Sequence, residues 1–185
     1  MTTPHTDTSR ALPTGTWRLD PAQTTVTVTA TKLGLFKIPA TLALSSGTIE
    51  IDADHEVTGV EVIVDASSYA SANATRNDHI RNADFLDADD HPELAFTAGN
   101  VSRSAVGYRA DGSVTVKGKV SPISVDITGV DVDTGRGSFV ATATIDRNAI
   151  GVDKLPSLVI GRDLQLTVTA SAVNVESHRP ESDPT

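Results

Sequence analysis

The residues best equipped for chemistry lie between Arg76 and Pro92, in the stretch RNDHIRNADFLDADDHP. Arg76, His79 and Arg81, with Asn77 and Asn82 between them, place cationic and amide donors on one short segment. Guanidinium groups match phosphate or carboxylate, so these three are candidate contacts for the polar head of an amphiphile. Satisfaction of loop backbone and neighbouring charges is the plainer reading for any one of them. Asp87, Asp89, Asp90 and Glu93 form an acidic cluster, but it lacks the central glycine and closing glutamate of an EF-hand loop and reads as a solvated turn. The histidines His5, His55, His79, His91 and His178 show no i, i+4 or H-E-x-x-H pairing, and the chain has no cysteine. No metal site, thiol chemistry or cofactor is expected. No G-x-S-x-G elbow appears, the serines and threonines fall mostly on outward strand faces, and the acids gather in turns. No catalytic residue is assigned.

What positions the donors is a short helix. Thr75 followed by Asp78 reads as an N-cap signal, Ile80 and Ala83 share a face, Phe85 and Leu86 lie just beyond, and Pro92 restricts His91 to extended geometry. Everything else reads as strand. Val26, Val28 and Ala30 alternate with threonines, Leu33-Gly34-Leu35-Phe36 turns, and Ile38 to Leu44 continues, with Pro39 implying an edge or bulge. Ser45-Ser46-Gly47 predicts a turn into a strand from Thr48 to Asp52, and Asp52 to Glu56 predicts another turn. Val60, Val62 and Val64 mark a strand ending at Asp65 to Ser68, with a polar connection from Tyr69 to Ala74. Leu94, Phe96 and Ala98 resume the beat, followed by less regular segments around Val101 and Tyr108. Asp111-Gly112 reads as a hairpin turn. Ile123 to Ile127, Phe139 to Ile145 and Asp163 to Val173 complete the set, with turns at Thr134 to Gly137 and a long connection from Asp146 to Arg162.

The 185 residues suit one domain, taken as 15–175 between polar tails at 1–14 and 176–185. A net charge of −9 without a basic run argues against nucleic acid and against adhesion to anionic membranes. No apolar run is long enough to span a bilayer and the N-terminus has no apolar leader region, so a soluble, cytoplasmic protein is expected unless a leader was removed.

Eight to ten strands joined by tight turns form a barrel or a sandwich. Ala30, Ala40, Ala98, Ala141, Ala143, Ala170 and Ala172 stand on apolar faces where a filled interior wants bulk, and aromatics are only 4% of the chain. Either two sheets approach closely over the alanines or a lumen stays open for a long apolar guest. Periodicity does not choose between them. The candidate lining is Val26, Val28, Ala30, Leu42, Leu44, Val62, Leu94, Phe96, Phe139, Ala141, Ala143, Leu166, Val168 and Ala170.

An ordered set of short motifs then resembles the YceI-like, lipid/polyisoprenoid-binding family. It comprises Trp17-x-x-Asp20, Arg76-x-x-His79-Ile80, Asp84-Phe85, Pro92 with Phe96, Gly112-x-Val114-Thr115-Val116-x-Gly118 with Pro122, Arg147-x-x-Ile150-Gly151, and the closing alternation from Leu164. The resemblance implies an all-β, extended lipocalin-like antiparallel β-barrel of about eight strands, with the helical insert covering one end. It also implies non-catalytic binding of an isoprenoid or fatty-acyl lipid in the pore. Many members are periplasmic and some are dimers, so a homodimer is an expected possibility. The chain departs from the pattern at Gln23-Thr24, where the family has His-Ser, and at Ala40-Thr41-Leu42, where it has Gly-x-Phe. Two other readings stand beside this one: an enzyme acting on such a lipid through Arg76 and His79, and a structural or partner-binding sandwich without a guest.

Overall fold

Alternating threonine, valine and alanine carry most of the chain into strands, because β-branched side chains pack well on a pleated surface with one apolar face. The computed structural model describes residues 11–154 and 159–176; of the tails expected at 1–14 and 176–185, residues 1–10 and 177–185 lie outside the described residues. Among the described residues the strands are β1 (Gly15–Leu19), β2 (Thr25–Lys32), β3 (Phe36–Ile51), β4 (Val57–Ser71), β5 (Glu93–Ser104), β6 (Gly107–Val116), β7 (Lys119–Asp133), β8 (Arg136–Asp146) and β9 (Asp163–Asn174), and one helix, α1 (Ala74–Arg81), follows β4. All pairings are antiparallel. β1 and β2 both lie between β3 and β9, one beyond the other, separated by a 3-10 turn at Pro21–Gln23 that Asp20 caps. The β3–β4 pairing closes the circuit, so nine strands make the eight staves of a closed barrel. The sandwich alternative is excluded.

Several local expectations are corrected. The turn at Ser45 to Gly47 does not form; β3 runs 16 residues through it, with a register shift between Leu44 and Ser46. Gly47 is present for contact: a Cβ there would lie 2.5 Å from Leu19 Cδ1. The shift also moves the inward face from Leu42 and Leu44 to Ile49 and Ile51. Asp111-Gly112 is not a hairpin either but lies inside β6, where a Cβ on Gly112 would collide with the Thr97 carbonyl oxygen. The turns flanking β6 fall at residues 105–106 and 117–118. β4 does not end at Ser68 but reaches Ser71, because the Ser68 hydroxyl accepts the Ala43 N–H at 2.7 Å beside the shift between Thr41 and Ala43. Pro39 sits where β3 has β2 but not yet β4 beside it, so its missing N–H disturbs no second ladder.

Large side chains gather around β1, where Trp17, Leu19, Leu44 and Ile51 pack with Ala170 and Ala172. Residues 11–14, assigned to a tail by composition, close that end: Leu12 packs on the cluster and the Pro13 carbonyl accepts the Trp17 indole N–H at 3.1 Å. A second cluster is built from Ala98, Ala110, Ala141 and Ala143 with Ile123 and Val125. A third, of Leu86, Val116 and Ile150, lies at the helix end.

Candidate functional site

The three clusters wall a cavity of about 650 Å³, within the range of about 300–1,000 Å³ typical of small-molecule sites. Its origin is the composition of the staves: short side chains at Ala30, Ala110, Ala141 and Ala172 leave the axis of an eight-stave tube unfilled. Val26, Val28, Ala30, Leu42, Val62, Leu94, Phe96, Phe139, Ala141, Leu166 and Val168 stand on the wall. Three other candidates do not. Leu44 and Ala170 are consumed in the Trp17 cluster, and Ala143 is buried among larger neighbours, including Ile145 and Leu166. The candidate lining also missed β6 and β7, which contribute Tyr108, Val114, Ile123, Val125 and Ile127. The strict alternation from Ile123 to Ile127 was the signal that could have found the last three.

Polarity along the wall is one-sided. Lys32, Tyr69, Asn73, Thr75, Arg76, His79 and Arg147 cluster where β2, β4 and β8 end, whereas Tyr108 and Ser138 lie toward the other end. No carboxylate is on the wall among the described residues.

α1 supplies three of these polar groups, Thr75, Arg76 and His79, with Asn73 as its N-cap, and is itself too short to persist alone. Its N-cap is Asn73 rather than Thr75: the Asn73 side chain accepts the Arg76 N–H at 2.9 Å, and Asp78 falls beyond the first turn. The helix is tied to β4 by Asn77, whose Oδ1 accepts both the N–H and the hydroxyl of Ser71 at 2.7 Å. Arg81, a candidate head-group residue, is spent on the same task and does not reach the wall. Its Nε and Nη2 donate to the Tyr69 carbonyl at 3.1 and 2.6 Å, and its Nη1 meets Asp78 at 3.4 Å. Arg76 and His79 do face the cavity. Arg76 has no carboxylate partner among the described residues; its side chain reaches only Ser71 Oγ at 3.5 Å. His79 stands edge-on to Phe85, with ring centroids 5.3 Å apart. Burial pushes the Tyr69 hydroxyl above its usual pKa, with Arg76 opposing.

The opposite rim of this end is held by Arg147. At 2% exposed, it donates to the carbonyls of Gly161, Val152 and Ile160 at 3.1, 2.9 and 3.2 Å. These bonds fold the β8–β9 connection over the mouth. Arg162 clamps its base on Asp146 at 2.6 Å, and that hydrogen bond holds the Asp146 carboxyl below its usual range. The acidic run Asp87 to Glu93 lies off the wall: Asp87 has φ +50° and its carbonyl accepts the His91 N–H at 2.7 Å. His55 caps a turn against the Leu12 carbonyl, while His5 and His178 lie outside the described residues.

Fold and site together define a closed antiparallel barrel with an apolar lumen and a cationic mouth. The chain belongs to the YceI-like domain family, whose model matches residues 17–172. It is 31% identical over 67 residues to a UPF0312 protein of Pectobacterium carotovorum, covering 36% of this chain and 35% of that one. With a UPF0312 protein of Vibrio parahaemolyticus it shares 31% over 93 residues, covering 47% and 49%. These matches therefore span between about a third and a half of the curated relatives' length. Among solved structures, BcnA of Burkholderia cenocepacia superposes with a TM-score of 0.74 at 20% identity, covering 84% of this chain and 99% of that one. A polyisoprenoid binding domain from Saccharophagus degradans superposes with a TM-score of 0.63 at 12% identity, covering 85% and 98%. Likeness at these identities is likeness of fold.

Proposed function

We propose that the protein binds one amphipathic isoprenoid or fatty-acyl lipid without covalent chemistry. The tail occupies the lumen and the polar head meets Arg76 and His79. The observation that carries this reading is the segregation of the wall: apolar along its length, cationic at one end, and free of carboxylates among the described residues. Apolar burial supplies the affinity, at roughly 25 cal/mol per Å². The guanidinium of Arg76, which has no carboxylate partner among the described residues, selects an anionic or strongly polar head. The description of the Saccharophagus degradans neighbour as polyisoprenoid binding supports the same class of ligand.

A second reading, an enzyme acting on such a lipid, is favoured only by the proximity of Tyr69, Arg76 and His79 at the mouth. Organic extraction of natively purified protein followed by mass spectrometry separates the two. A stoichiometric intact prenyl or acyl compound is expected; conversion of added lipid by the wild type, lost in His79→Ala with binding intact, would establish the enzyme. Recovery of no lipid, together with failure to bind added prenyl or acyl probes, would remove both.

A further inference from the structure

The β2–β3 hairpin exposes what a folded chain normally hides. Leu33, Leu35 and Phe36 are exposed, Leu35 by 80%, and with Val159 they make four of the six exposed large apolar residues among those described. The turn is closed by the Leu35 N–H on the Lys32 carbonyl, and both central residues have positive φ, +52° at Leu33 and +71° at Gly34. Such a turn favours asparagine followed by glycine, and a leucine in the left-handed region is disfavoured. The hairpin tip therefore keeps a bulky apolar side chain outside the fold at a site where folding alone prefers Asn.

This tip is fixed at the mouth. Leu33 N–H donates to the Val159 carbonyl at 2.9 Å and Gly161 N–H to the Thr31 carbonyl at 2.7 Å, so the hairpin is stitched to the connection that Arg147 holds. Lys32, Ile38 and Val159 belong to the lumen wall. The apolar surface is thus continuous with the lumen.

Charge points the same way. The chain carries a net −9, yet all five of its lysines, Lys32, Lys37, Lys117, Lys119 and Lys154, fall at this one end of the barrel. None is ion-paired with a carboxylate among the described residues, whereas Arg81, Arg109 and Arg162 are. Lys32 and Lys37 flank the tip directly. The acidic run Asp84 to Glu93 lies toward the β6–β7 turn, where Lys117 reaches the Ala83 carbonyl, while Asp146 (paired with Arg162), Asp153 and Asp163 also stand at this end along the β8–β9 connection.

From this geometry we propose that the β2–β3 hairpin docks the mouth of the barrel on an anionic lipid bilayer. Leu33, Leu35 and Phe36 enter the acyl boundary and the lysines sit among the headgroups. The purpose of docking rests on the lipid-binding reading, since it would let a guest pass between bilayer and lumen without crossing water. Docking itself can be read on lipid-stripped protein and so fails or succeeds independently of lumen occupancy.

The test is flotation of stripped full-length protein with vesicles of phosphatidylglycerol mixed with phosphatidylcholine, against phosphatidylcholine alone. Salt-sensitive flotation with the mixed vesicles only is expected. Lys37→Gln should weaken it about fivefold and Leu35→Ser/Phe36→Ser should abolish it. Leu33→Asn separates docking from folding: it should raise the melting temperature while lowering flotation. Absence of flotation by the wild type, or flotation unchanged in the tip variants, would overturn the proposal. So would a tip-dependent dimer in solution that does not bind vesicles.

Discussion

At Arg147 a guanidinium is buried, and it is tolerated because backbone carbonyls from three points of one connection accept its donors. Truncation would leave those carbonyls unsatisfied and open a void beside the lumen. Arg147→Met is expected to lower stability by about 3 kcal/mol or more, read as a shift in the urea midpoint. A loss below about 1 kcal/mol would mean that the connection holds itself in place. In the sequence Arg147 was visible only as part of a motif. Nothing in its local pattern says that its charge is buried, since its acceptors Ile160 and Gly161 belong to a distant part of the connection. Arg76 and Arg81 make the same point in reverse. Two arginines on one short helix look interchangeable as letters, yet the Tyr69 carbonyl claims one and the lumen receives the other.

The strands show where periodicity is enough and where it fails. Alternation identified most of the staves, because a half-buried pleated sheet imposes its two-residue beat directly on composition. Glycine was misread twice, at Gly47 and Gly112. A glycine that permits a turn and one that permits a close contact carry the same letter, and only the register across strands tells them apart. The cap was misplaced for a related reason: Asn73 and Thr75 are both competent N-caps, and the hydrogen bonds to β4 fix which one starts the helix. The same distinction between wall and packed cluster yields a paired prediction. Ala141→Trp should leave a folded barrel that no longer takes up a prenyl probe, because the indole occupies the guest's room. Ala170, enclosed by the Trp17 cluster, has no such room, and Ala170→Trp should cost about 1–3 kcal/mol or more in thermal unfolding. Equal destabilisation by both would indicate that the tube is filled throughout.

For the molecule as a whole, the two ends of the barrel are unlike. One carries α1, the hairpin tip and the cationic rim; the other is stopped by Trp17, Leu19 and the Leu12–Pro13 segment. A tube with a floor measures what is put into it. Each added methylene gains about 0.8 kcal/mol only while it is still descending. Affinity across a series of prenyl alcohols, followed by calorimetry, should therefore climb with length and then level off; a climb without a plateau would mean that the far end opens. The residues around Trp17 would then act as a ruler, setting guest size by where the bore stops rather than by any contact with the chemistry of the head.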